Sequence, residues 1–223
     1  MGNLEKMTVV LAMLTALSGC FKEPVPAYKT VASETKVYLK ETSLQKFTKD
    51  ALFKQGLVYV KDSGWTNLSA RVQSLDPQKI TYLNLDRNSI TNIDEIVEFS
   101  SLKYLRLNNN RLTSLPNLSA LRQLQNLHLR ANDLRDIPES LKDLPSLAVL
   151  DLSENRKISA IPDWLAKKKN LRHLYLSGTG IRALPGDLSA WESLSTLQLG
   201  DLNLSEDEMK RIREALPETL VVF

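Results

Sequence analysis

The chain has 223 residues, 43% of them hydrophobic and 25% charged, an ordinary globular balance with enough apolar material for a core. Its net charge of +3 is too small to demand a nucleic acid or an acidic membrane as partner. A single cysteine, Cys20, excludes an internal disulfide framework and a cysteine zinc site.

Met1 to Lys6 is short and polar, and Met7 to Leu17 (MTVVLAMLTAL) is an apolar run without a charge. That run is shorter than the roughly 18 residues a bilayer span needs, and it has the length of a secretion-signal core. It leads into Leu17-Ser18-Gly19-Cys20, which resembles the lipobox of bacterial lipoproteins. The resemblance implies a signal peptide over residues 1–19, cleavage before Cys20, and lipid attachment at Cys20 with palmitate as the expected acyl chain. Several acyl chains hold a protein stably where one holds it marginally. Glu5 beside Lys6 departs from the usual positive start. Lys6 also stands where N-myristoylation of Gly2 would want Ser or Thr. Phe21 is not the Asp that retains such lipoproteins at the inner membrane, so the resemblance implies the outer membrane in a host that has one. Residues 20–33 hold Pro24 and Pro26 and no periodic pattern, and read as a lipidated tether.

Residues 34–79 read as an N-terminal cap region. Val37, Leu39, Leu44, Phe47, Leu52 and Phe53 suit one or two cap helices, Leu57 to Val60 a strand, and Ser69 to Leu75 a short helix stopped by Asp76-Pro77.

From Ile80 the sequence repeats itself. Six segments share the template apolar-x-x-Leu-x-Leu-x-x-Asn-x-apolar: ITYLNLDRNSI, LKYLRLNNNRL, LQNLHLRANDL, LAVLDLSENRKI, LRHLYLSGTGI and LSTLQLGDLNL. The fourth carries one extra residue. The equivalent leucines Leu83, Leu105, Leu127, Leu150, Leu174 and Leu197 are 22, 22, 23, 24 and 23 residues apart. This strongly resembles the leucine-rich-repeat family over residues 80–204. The resemblance implies an α/β solenoid with a curved parallel sheet on the concave face and short helices or turns on the convex face. Leu-x-Leu alternation makes a short strand with its leucines inward, and stacking buries what one repeat alone cannot.

Asn88, Asn110, Asn132 and Asn155 follow the strands, and in the family this column bonds the backbone of adjacent coils. Thr179 replaces Asn in the fifth copy and can serve in part. Leu202 replaces it in the sixth, so the ladder should stop there. Leu115-Pro116, Ile137-Pro138, Ile161-Pro162 and Leu184-Pro185 open the return segments. Residues 205–223 read as the C-terminal cap. Ser205 and Glu208 form a capping box, Met209, Ile212 and Leu216 share a helix face, and Leu220 to Phe223 suits a last strand.

No nucleophile, phosphate loop or metal motif stands out, so the expectation is a non-enzyme without cofactor or metal. Lys167-Lys168-Lys169 reads as a solvated basic face. The residues between the leucines form outward columns across the sheet. Tyr82, Tyr104, Arg106, His128, Arg130, His173 and Tyr175 are the candidate binding patch, because Tyr and Arg dominate interface hot spots. The expected function is a membrane-anchored scaffold recognising a protein, or a glycan, on the concave face. The alternative is a structural envelope scaffold or an adhesin-like surface protein. The expected partners are one or more proteins and the membrane through the lipid on Cys20, with no nucleic acid, and the chain is expected to be a monomer.

Overall fold

A Leu-x-Leu step sends alternate side chains to opposite sides of an extended chain, and all six steps become strands. The computed structural model describes residues 56–68 and 76–223. The signal peptide, Cys20, the tether and the cap helices expected over 35–55 and 69–75 lie outside the described residues.

The strands of the six repeats are β2 (Tyr82–Asn84), β3 (Tyr104–Arg106), β4 (Asn126–His128), β5 (Val149–Asp151), β6 (His173–Tyr175) and β7 (Thr196–Gln198). One more strand lies at each end, β1 (Leu57–Tyr59) and β8 (Leu220–Val222). They make an eight-stranded sheet in chain order, every pair parallel. The sheet therefore runs one coil beyond the repeats on both sides. The register aligns Val58, Leu83, Leu105, Leu127, Leu150, Leu174, Leu197 and Val221 in one inward column. From Val58 to Leu197 that column is fully buried, and burying each Leu contributes roughly 1.5–3 kcal/mol.

The turn after each strand holds one left-handed residue: Asp62, Arg87, Asn109, Ala131, Glu154, Gly178 and Asp201, with φ from 54 to 69°. This twist turns the next residue inward, where the ladder asparagines sit. Only Gly178 adopts it without cost; for a side chain such as that of Ala131 or Arg87 it costs roughly 1–2 kcal/mol. The ladder more than offsets it. Asn110 donates through Nδ2 to Leu85 O and Leu107 O, each at 3.0 Å, and accepts from Ile90 N at 3.0 Å. Asn132 and Asn155 repeat the pattern one coil further on. The carbonyls of Leu85, Leu107 and Leu129 thus each take two amides.

The return segments are short. They form 3₁₀ turns at Pro77–Lys79, Asp94–Glu98, Glu139–Leu141 and Ser189–Trp191, and one helical turn α1 at Asp163–Ala166. The extra residue of the fourth repeat is matched in the next coil by Gly180. A Cβ there would lie 2.8 Å from Arg156 O and 3.1 Å from Ile158 O.

The end is closed by helix α2 (Glu206–Ala215), whose N-cap Ser205 accepts from Glu208 N at 3.2 Å. Ile212 and Leu216 are buried under it. Glu208 does not return to the Ser205 backbone as a capping box would have it. Its Oε1 accepts from Leu184 N at 2.7 Å, and Arg211 grips both of its oxygens at 2.8 Å. Arg211 also reaches Leu184 O and Gly186 O, each at 3.2 Å, so the pair clamps α2 onto the fifth return. Among the described residues, no helix is long and apolar enough to cross a membrane.

Candidate functional site

The face opposite the inward column is built from the residues that flank each central leucine, and the register fixes which of them are neighbours. One column runs Leu57, Tyr82, Tyr104, Asn126, Val149, His173, Thr196, Leu220. The next runs Tyr59, Asn84, Arg106, His128, Asp151, Tyr175, Gln198, Val222.

At the β1 end three tyrosine rings form a row. Tyr59 and Tyr82 have centroids 4.9 Å apart, and Tyr82 and Tyr104 6.0 Å apart, with tilts near 30°. Such offset pairs are attractive beyond the area they bury. Burial pushes the Tyr82 phenol above its ordinary value, against the pull of Arg106 and of hydrogen bonds with Tyr59 and Asn84. Arg106 is held beside this row by Asp86, its Nε donating to Oδ2 at 2.9 Å. The other oxygen of Asp86 accepts from Asn108 N at 2.8 Å. The guanidinium is therefore oriented from below by a nearly buried carboxylate.

His128 corrects one expectation. It lies on the outward column, but its side chain is only 3% exposed and cannot offer a contact surface. Its Nδ1 stands 3.8 Å from Asp151 Oδ2, in the middle of the face. Burial acts to raise the Asp151 carboxyl, but the His128 ring and the Ser153 amide and hydroxyl outweigh it and hold it below the usual carboxylate range. The pair is a polar plug that fixes the floor between two outer clusters.

The second cluster is His173 and Tyr175, stacked at 6.5 Å and 12°, with His173 Nδ1 at 3.2 Å from Thr196 Oγ1. Three strand spacings, about 14 Å, separate β6 from β3. Five of the seven expected residues thus form two clusters rather than one, with His128 between them. Arg130 belongs to neither: it sits past the strand, 3.6 Å from Glu154, on the rim.

Tyr59, Asp86 and Asp151 were missing from the expected patch. The pattern Leu57-Val58-Tyr59-Val60 repeats the x-Leu-x-Leu step, and extending the register back one coil would have found Tyr59. Lys168 departs from the solvated basic face expected on the convex side. Its Nζ donates to Leu144 O at 2.8 Å and Lys142 O at 3.2 Å, and burial pushes it below the ordinary lysine value. Among the described residues, no three His, Cys, Asp or Glu side chains stand close enough to hold a metal ion.

Leucine rich repeat models match residues 78–134 and 122–181. The chain is 44% identical over 61 residues to disease resistance protein RFL1 of Arabidopsis thaliana, and 33% identical over 79 residues to a probable disease resistance protein of the same plant. These matches cover 27% and 35% of this chain but only 7% and 9% of the plant proteins, so the chain spans under a tenth of their length. Among solved structures, an LRR protein of Leptospira interrogans is 32% identical with a TM-score of 0.61, over 66% of this chain and 38% of that one. An internalin from Listeria monocytogenes is 21% identical with a TM-score of 0.53, over 74% and 53%, a likeness of fold alone.

Proposed function

We propose that this leucine-rich-repeat solenoid is a recognition scaffold that binds a protein on its concave face, while acyl chains on Cys20 hold it at a bacterial outer membrane. The chain carries the repeats and the fold of proteins that typically mediate protein–protein contact. One observation carries the reading. The sheet gathers Tyr59, Tyr82, Tyr104 and Arg106 into one cluster at the β1 end, with the guanidinium set in place by Asp86. Tyr and Arg lose little freedom when such a cluster is already ordered, so more of the contact energy reaches the affinity. His173 and Tyr175 give a second, smaller contact about 14 Å away. The membrane part of the reading rests on the uncharged run Met7 to Leu17, the Leu-Ser-Gly-Cys box and Phe21.

The test uses the full chain in a bacterial host. Cross-linked partners are captured from cells carrying the native chain, Cys20→Ser, or Tyr104→Ala with Arg106→Ala. The double variant should lose the captured partner while its melting curve stays cooperative. Cys20→Ser should lose incorporation of labelled palmitate and move out of the membrane fraction. Undiminished capture by the double variant sinks the concave-face reading, and undiminished labelling of Cys20→Ser sinks the anchor.

A further inference from the structure

The turns that follow the strands form one edge of the solenoid. Five consecutive coils place an exposed arginine on it: Arg87, Arg111, Arg135, Arg156 and Arg182. Each lies within three residues of the ladder position of its own coil, Asn88, Asn110, Asn132, Asn155 and Thr179. Adjacent strands of a sheet are about 4.8 Å apart, so the coils that carry these cations are stacked in short steps, with Arg87 just before the ladder position, Arg111 and Arg156 just after it, and Arg135 and Arg182 three residues past it. Among the described residues, arginine ion pairs involve Arg106, Arg130, Arg156 and Arg211, and none involves Arg87, Arg111, Arg135 or Arg182.

Midway along this edge a cleft of about 460 Å³ opens, lined by Asn109, Arg130, Asp133, Glu154 and Arg156 among others. Glu154 lies 3.6 Å from Arg130 and 4.0 Å from Arg156, and Lys157 3.4 Å from Asp133. The lining mixes donors and acceptors, with Ala131 its one apolar residue, and no aromatic side chain is part of it.

This lining selects among anionic ligands. Single-stranded nucleic acid needs aromatic platforms on which its bases stack, and the cleft has none. An acidic peptide would bring carboxylates against Asp133 and Glu154 and has only its backbone N–H groups to offer them. A chain of acidic sugars has both kinds of group. Its hydroxyls can donate to Asp133 and Glu154 and accept from Arg130, and its carboxylate or sulfate groups match the planar fork of arginine. We propose that this edge is a second binding site, separate from the concave face, and that its ligand is an acidic polysaccharide laid across the coils. The site does not depend on the reading given to the concave face or to Cys20.

The full chain is titrated with polygalacturonate, which carries carboxylates, and with dextran sulfate, with neutral dextran and polyglutamate as comparators. Removing Arg87, Arg111, Arg135 and Arg182 together by alanine substitution should raise Kd for the better polysaccharide about tenfold, as four exposed charge contacts of modest strength would. Removing Lys103, Arg122, Lys142 and Lys169 takes the same charge from the opposite edge and should change Kd less than twofold. Asp133→Asn with Glu154→Gln should also weaken binding, because two acceptors for sugar hydroxyls lose their charge. Circular dichroism melting confirms that each variant is folded. The proposal is overturned if neither polysaccharide binds, if both charge-removal variants lose affinity equally, if the Asp133/Glu154 variant binds tighter as a purely electrostatic surface would, or if polyglutamate binds as well as the sugars.

Discussion

The first four repeats and the last two share one strand design but close their turns differently. Asn88, Asn110, Asn132 and Asn155 each tie their own coil to the one before, through bonds to carbonyls and from an amide. Thr179 makes one side-chain bond, to Leu176 O within its own coil, and what remains backward is the backbone bond from Gly180 N to Ile158 O, the counterpart of Arg111 N to Ile90 O and Asp133 N to Leu112 O. Leu202 packs against the core and its side chain offers no bond. The clamp of Glu208 and Arg211 on Leu184 and Gly186 takes over where the amides end. A repeat array can therefore replace a periodic internal device with a single clamp, made here by the helix that follows the sixth repeat.

The sharpest break of this comparison is to give the first region the residue of the second. Asn132→Leu removes bonds to Leu107 O, Leu129 O and from Leu112 N in a site 8% exposed. The two carbonyls keep the amides of Asn110 and Asn155, but Leu112 N is left without an acceptor. The expected loss is about 3 kcal/mol, from three net bonds and one orphaned buried donor. Urea unfolding measures it. A loss below about 1 kcal/mol would show that the asparagines do not hold the coils together.

The second break is at the clamp. Glu208→Gln keeps an acceptor for Leu184 N but removes the charge that Arg211 grips. Arg211 is a third exposed, so solvent screens the pair and the expected cost is only about 1 kcal/mol. The effect should depend on pH. The bonds from Arg211 hold the Glu208 carboxyl below its ordinary value of 4.5, so the unfolded chain takes up the proton first. Its contribution is present above about pH 4.5 and is lost as pH falls through the folded value. The partly buried Asp151, also held low, adds loss of the same sign in the acid range. Glu208→Gln should flatten the acid side of the melting-temperature profile. An unchanged acid slope would show that the clamp is not what closes the end.

Most of the fold was legible because it rests on a period. Leu83 to Leu197 announce the strands, the asparagines announce the ladder, and Ser205 with Glu208 announces α2. The residues that escaped are those whose role depends on a neighbour one coil away. His128 sits at a position that alternation marks as outward, yet Asp151 on the next strand draws it under cover. Lys168 sits in a basic run, yet the carbonyls of Lys142 and Leu144 pull its ammonium onto the preceding return. Glu208 fits a local capping pattern, yet Leu184 and Arg211 outbid the Ser205 backbone. A pattern within one repeat sees the coil; the choice among partners is made between coils.

Thr179 is the smallest effect and the finest test of that rule. Restoring Asn there looks like an improvement, since Leu152 O takes a side-chain amide from Asn155 and none from Thr179. The amide oxygen is the obstacle. In the other coils it accepts from the last apolar N–H of the preceding repeat, as Asn132 does from Leu112 N. In the fourth repeat the extra residue turns the chain so that Ile158 N already donates to Asn155 O at 3.0 Å. Asn at 179 would gain a donor's partner and strand an acceptor, at a position 8% exposed. Thr179→Asn alone should therefore be neutral or cost up to about 1 kcal/mol. Deleting Lys157 restores the common repeat length and frees Ile158 N. In the background of that deletion, the same substitution should stabilise relative to Thr179 by about 1 kcal/mol, a coupling read from a double-mutant cycle in urea. If the two changes are additive, the threonine is not an answer to the extra residue, and the departure from Asn at that coil has some cause other than the turn before it.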